Sequence, residues 1–114
     1  MIVVDAGHGG GDPGSSGNGI VEKTYNLMIS NYIYNRLKEL GADVKSVRTK
    51  DETLSSEQRV DRIMNAFGNR LDVVVLSNHL NAGGGNGAEV VYALRNKDTL
   101  SKLILEEIAK EGQN

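Results

Sequence analysis

Asp72-Val73-Val74-Val75-Leu76-Ser77 decides how this chain folds. Four consecutive apolar residues between polar ends read as a strand buried on both faces, the mark of a parallel sheet covered by helices. Ile2-Val3-Val4, ended by Asp5 and Gly7, reads as a second strand of the same kind. Between these two runs lie two helical patterns. From 22 to 40, apolar residues recur at Tyr25, Met28, Ile29, Tyr32, Ile33, Leu37 and Leu40, one face of a helix that Gly41 can cap. Ser55 with Gln58 spells a capping box, and Val60, Ile63, Met64, Phe67 and Leu71 follow at helical spacing.

Residues 42–48, with Val44 and Val47, predict a weaker strand, and residues 89–94 predict a fourth. Asp98 can cap a last helix with Leu100, Leu103, Ile104 and Ile108 facing inward. The order β-α-β-α-β-β-α predicts a three-layer α/β fold, with a mostly parallel central sheet flanked by helices. No repeat or interdomain linker interrupts it, so residues 1–114 read as one domain.

Composition narrows the function. A net charge of −2 and only five aromatics, four Tyr and one Phe, give no basic, aromatic-studded surface for nucleic acid. No apolar run approaches the ~20 residues of a membrane helix. The N-terminus lacks the basic segment of a signal peptide. With no cysteine, disulfides, thiol nucleophiles and thiolate metal sites are excluded. Most of the 14 glycines fall in clusters at 7–19 and 83–87, which read as loops.

Ligands of open α/β sheets bind beyond the carboxyl ends of the strands. The only two histidines, His8 and His79, each follow a predicted buried strand within a few residues. Each alone reads as a loop residue bonding backbone; two at the same rim point to a metal, for which neutral imidazole is the commonest ligand. Catalytic zinc takes three protein ligands, His₂Glu among the known sets. Glu22 opens the first predicted helix and is the third candidate, although a glutamate there also complements the helix dipole. Asp5 either accepts a hydrogen bond from a ligand histidine or ends the first strand by turn chemistry.

Three motifs join these residues. Asp5-Ala6-Gly7-His8-Gly9-Gly10 with Asp12-Pro13-Gly14, then Gly19-Ile20-Val21-Glu22-Lys23, then Ser77-Asn78-His79-Leu80-Asn81-Ala82, resemble the zinc-dependent N-acetylmuramoyl-L-alanine amidases of the amidase-3 type. Gly87-Ala88-Glu89-Val90-Val91-Tyr92, Leu54 with Arg59, and Arg48 fit the same pattern, so the resemblance runs along essentially the whole chain. It implies Zn²⁺ held by His8, Glu22 and His79; Asp5 and Asn81 are the candidates for supporting the ligands. It implies hydrolysis of the amide between N-acetylmuramic acid and L-alanine in peptidoglycan, as in bacterial autolysins and phage endolysins. Action on the cell wall, outside the cell or after lysis, follows.

Two departures stand out. Asn78 occupies a position usually apolar in the family and is expected to alter local packing more than metal binding. The family's acid/base glutamate, on a late strand, is expected beyond Asn114, with the chain lacking that strand. Glu89 is the in-chain substitute considered, against a purely structural role in the fourth strand. A fragment that binds zinc or peptidoglycan without turnover is the alternative. Gly9-Gly10-Gly11-Asp12-Pro13-Gly14 spells a dinucleotide fingerprint, but no helix begins there and the second strand ends in Arg48-Thr49-Lys50 rather than an acid. No G-x-S-x-G elbow supports a serine hydrolase.

Overall fold

The computed structural model describes residues 1–80, 87–92 and 98–112. In chain order its elements are β1 (Ile2–Ala6), β2 (Ser16–Gly17), β3 (Ile20–Val21), α1 (Glu22–Glu39), β4 (Val44–Ser46), α2 (Ser56–Phe67), β5 (Val74–Asn78) and α3 (Thr99–Lys110). They form two compact units, Met1–Ala82 and Gly83–Asn114.

The first unit is built on a parallel sheet of order β4-β1-β5. β1 is central, paired with β5 from Ile2↔Val74 to Ala6↔Asn78 and with β4 from Ile2↔Val44 to Val4↔Ser46. The bond from Gly7 N–H to the Asn78 carbonyl, 3.1 Å, carries the β1–β5 pairing one step further. The loops that bear His8 and His79 therefore leave the sheet at the same rim.

Side chains alternate across a strand. Ser77 donates to Asp5, which pairs with Arg59 of α2, while Asn78, one step along, faces Asn26 of α1. The two helices consequently cover opposite faces of the sheet, and the expected three-layer α/β arrangement is the one observed.

The apolar core is small: Val3, Val4, Ala6 and Val47 are at most 4% exposed. Burying Val3 and Val4 contributes about 1.5–3 kcal/mol each. The central strand is thus β1, not the longer valine run. Val74 and Val75 of β5 remain 41% and 46% exposed; among the described residues β5 has one strand neighbour where β1 has two.

The face that α1 buries differs from the apolar stripe. Glu22, Asn26 and Ser30, spaced four apart, are at most 3% exposed, whereas Met28 and Tyr32 are 57% and 72% exposed. Polar demand at the sheet rim sets the rotation of this helix, overriding hydrophobic periodicity. Its N-terminus has no side-chain cap; Glu22 N–H and Lys23 N–H bond instead to the carbonyls of Ser15 and Pro13. A two-residue turn at Asn18 (φ 52°) and Gly19 (φ 77°) closes the β2–β3 hairpin just before it. Asn-Gly suits such a turn because both positions need positive φ.

The expected capping box of α2 is present, Ser55 and Gln58 bonding reciprocally. Few apolar contacts hold this helix, since none of its residues is fully buried. Cationic side chains tie it down: Arg62 donates to the Val47 carbonyl, and the Lys45 ammonium donates to the Ala66 carbonyl above the Phe67 ring.

In the second unit, the described part of the expected fourth strand, residues 89–92, forms no strand; Ala93 and Leu94 lie outside the described residues. α3 begins after Asp98 as expected, but the Asp98 carboxylate pairs with Lys102 at 3.0 Å instead of capping the helix. Leu100 and Leu103 are 49% and 52% exposed, and Ser101 is the buried residue of this helix.

Candidate metal centre

His8 follows β1, Glu22 opens α1 and His79 follows β5, and the fold brings all three to one point. One ligand atom from each lies within 4.8 Å of the others. Glu22 Oε2 sits 3.3 Å from His8 Nε2 and 3.2 Å from His79 Nδ1. The two rings stand nearly perpendicular, at 87°, with centroids 5.1 Å apart.

Each side chain is oriented by its own partners. His8 adopts φ 61°, a left-handed conformation costing roughly 1–2 kcal/mol for a non-glycine residue. Two contacts hold it there: Arg59 donates to its carbonyl at 3.0 Å, and its Nδ1 lies 2.9 Å from Asp12 Oδ2. Bonding to His8 lowers the Asp12 pKa below the usual carboxylate value. The ionised Asp12 accepts a hydrogen bond from Nδ1–H, and in the neutral ring with that tautomer the lone pair is on Nε2, facing Glu22.

Glu22 is 3% exposed. Burial acts to raise its pKa, but bonds from Ser15 N–H, Asn26 and Leu80 N–H outweigh that and hold it at about 2. An ionised carboxylate oxygen thus meets an imidazole lone pair at 3.3 Å. Two acceptors that close repel unless a cation is shared between them. The arrangement is compatible with a metal site.

Glycine allows the close packing. A Cβ on Gly7 would strike the His79 ring, and one on Gly14, at φ 68°, would lie 2.7 Å from both Glu22 Oε1 and His8 Cδ2.

Behind the ligands, Arg48 and Arg59 bind three successive carbonyls, those of residues 6–8. Arg48, 2% exposed, donates to Ala6, Gly7 and Lys23 carbonyls at 2.9–3.0 Å and to that of Lys50 at 3.1 Å. Burial, then the charge of Arg59, lowers the Arg48 pKa. Arg59 donates to Ala6 and His8 carbonyls and pairs with Asp5.

Asp5 is accordingly not on an imidazole. Its oxygens are taken by Arg59 and Ser77, and the carboxylate on the His8 ring belongs to Asp12. The reason is strand alternation, which points Asp5 to the α2 face and away from α1. Asn81 lies outside the described residues. Glu89 is exposed in the second unit, in a segment that is not a strand. Sequence reading overlooked Asn26, whose signal was its position four residues after Glu22, on the same helix face.

The chain matches the family described as N-acetylmuramoyl-L-alanine amidase over residues 2–114. It is 40% identical over 90 residues to the sporulation-specific N-acetylmuramoyl-L-alanine amidase of Bacillus subtilis, covering 77% of this chain and 34% of that one. Among solved structures it resembles Cwp6 of Clostridium difficile, with a TM-score of 0.85 at 28% identity, over 96% of this chain and 18% of that one. The CwlD amidase of Clostridioides difficile aligns with a TM-score of 0.77 at 30% identity, over 96% and 64% of the two chains. The chain spans 21–43% of the length of four curated relatives it matches. Its sequence, sheet and rim cluster agree, and the chain belongs to the N-acetylmuramoyl-L-alanine amidase family.

Proposed function

We propose that His8, Glu22 and His79 hold a zinc ion, and that the chain uses it to hydrolyse the amide joining N-acetylmuramic acid to L-alanine in peptidoglycan, acting on the cell wall. The observation that carries the metal reading is the placement of Glu22 Oε2, 3.2 and 3.3 Å from the two ring nitrogens. Ligand atoms bound at about 2.0–2.1 Å around a tetrahedral ion are about 3.3 Å apart. The donor set fits as well: two imidazoles and one carboxylate suit zinc, with a position left for water or substrate.

Zinc in such a set polarises an amide carbonyl and supplies hydroxide at neutral pH. The protein's part is preparation. Asp12 fixes the His8 tautomer, and three donors keep Glu22 ionised and correctly aimed. Arg48 and Arg59 hold the carbonyls of residues 6–8, so the His8 backbone needs no rearrangement to bind. Support for the substrate comes from family membership and from the amidases named among the relatives.

The test measures metal and product together. About one zinc per chain is expected after exhaustive dialysis, by atomic emission. Digestion of purified cell walls should release new L-alanine N-termini in a zinc-dependent way. His79→Ala should abolish both while keeping the helical circular dichroism. An active protein free of metal, or full zinc occupancy in His79→Ala, would overturn the reading.

A further inference from the structure

We infer that Asn26 is the positioning residue that couples the three ligand-bearing segments, so that they bind zinc as one preorganised unit. This rests on the zinc reading above. Asn26 is 0% exposed. Its Nδ2 donates to Glu22 Oε2 at 3.0 Å, and so touches the ligand oxygen shared by both histidines. The same Nδ2 donates to the Gly7 carbonyl at 3.1 Å, the peptide that leads into His8. Its Oδ1 accepts from Asn78 Nδ2 at 3.5 Å, and Asn78 immediately precedes His79.

One side-chain amide thereby contacts the strand end before the first histidine, the carboxylate, and the strand end before the second. Apart from the ligand Glu22 itself, no other described side chain is seen to contact all three segments. Its chemistry suits the position. Both protons of the –NH₂ group are used on acceptors that converge on the site, and its oxygen is left to receive a donor. A carboxylate here would repel Glu22, and an aliphatic residue would leave Glu22 Oε2 with one donor fewer.

Ser30 supplies the control. It lies one turn further along the same buried stripe, 3% exposed, and its Oγ has no hydrogen-bond partner. Substitution there perturbs the α1–sheet contact without touching the ligands. A purely structural Asn26 would behave like Ser30: stability would change and metal affinity would not.

The experiment titrates zinc into the full 114-residue chain in competition with a chromogenic chelator, for wild type, Asn26→Leu, Asn26→Ala and Ser30→Ala. Residues that orient metal ligands typically govern affinity by 10–100-fold. Asn26→Leu and Asn26→Ala should weaken zinc binding by about that factor, while Ser30→Ala stays within about twofold of wild type. Apo melting temperatures, recorded alongside, report packing separately.

A second measurement needs no variant. The Asn26 side-chain NH₂ signals in a ¹⁵N–¹H spectrum of wild type should shift on zinc addition together with the His8 and His79 ring signals. Wild-type affinity in both Asn26 variants, or NH₂ signals unmoved at zinc saturation, would overturn the inference. Wild type that binds no zinc at all would instead overturn the metal reading itself, so the two failures are distinct.

Discussion

Replacing Arg59 with methionine is expected to destabilise the metal-free protein by about 3–5 kcal/mol. Arg59 pairs with Asp5 and donates to the Ala6 and His8 carbonyls. The two side chains of the ion pair are 18% and 5% exposed, so little solvent screens them. After Arg59→Met, the Ala6 carbonyl keeps its bond from Arg48, and Asp5 keeps only Ser77. The principal cost is the orphaned Asp5 carboxylate, since breaking a buried pair from one side leaves an uncompensated charge. Unfolding entropy near 2.1 cal/mol/K per residue gives about 0.24 kcal/mol/K for 114 residues. The melting temperature should therefore fall by about 12–20 °C.

The assay is urea denaturation followed by circular dichroism, with chelator present so that metal binding does not contribute. Adding Asp5→Asn removes the stranded charge while still accepting from Ser77. The double variant should recover about 1–3 kcal/mol relative to Arg59→Met alone. A single variant within about 1 kcal/mol of wild type at unchanged denaturant slope would refute the reasoning. So would a double variant equal to the sum of the two single effects.

Acid should weaken the metal-free protein through Glu22. Its pKa is about 2 in the fold against 4.5 ordinarily, so its contribution of about 3 kcal/mol is complete above pH 4.5 and disappears as pH falls towards 2. Urea midpoints between pH 5 and 2.5 check this, and Glu22→Gln should flatten the curve. Gly7→Ala should push the His79 ring aside; because that side chain is 44% exposed, it can swing into solvent, and zinc affinity should fall at least about tenfold with little change in apo stability. Isothermal titration against the melting curve separates the two effects. Ser55→Ala removes one arm of the α2 capping box and should cost about 1 kcal/mol, read from the urea midpoint.

Much of the first unit was legible in the sequence because short-range physics decides it. Ser55 and Gln58 form their capping box from neighbours three residues apart, and the apolar runs at 2–4 and 73–76 mark strands, although only the first is fully covered. The α1 face was misread because hydrophobic periodicity assumes that apolar burial sets a helix's rotation. Here the buried stripe is Glu22, Asn26 and Ser30, set by acceptors and ligands at the sheet rim, and those belong to residues far away in sequence. The Asn18-Gly19 hairpin had a local signal that the surrounding glycines obscured.

Residue types and spacing alone determined the class of the fold, the alternation of its main strands and helices up to β5, and the three candidate ligands, since each depends on side-chain chemistry within a few positions along the chain. Tertiary structure alone decided which carboxylate meets which imidazole. Strand alternation sent Asp5 to Arg59, loop closure brought Asp12 to His8, and parallel register placed positions 8 and 79 at one rim. Those outcomes depend on distances between segments tens of residues apart, which only the packed sheet and helices define.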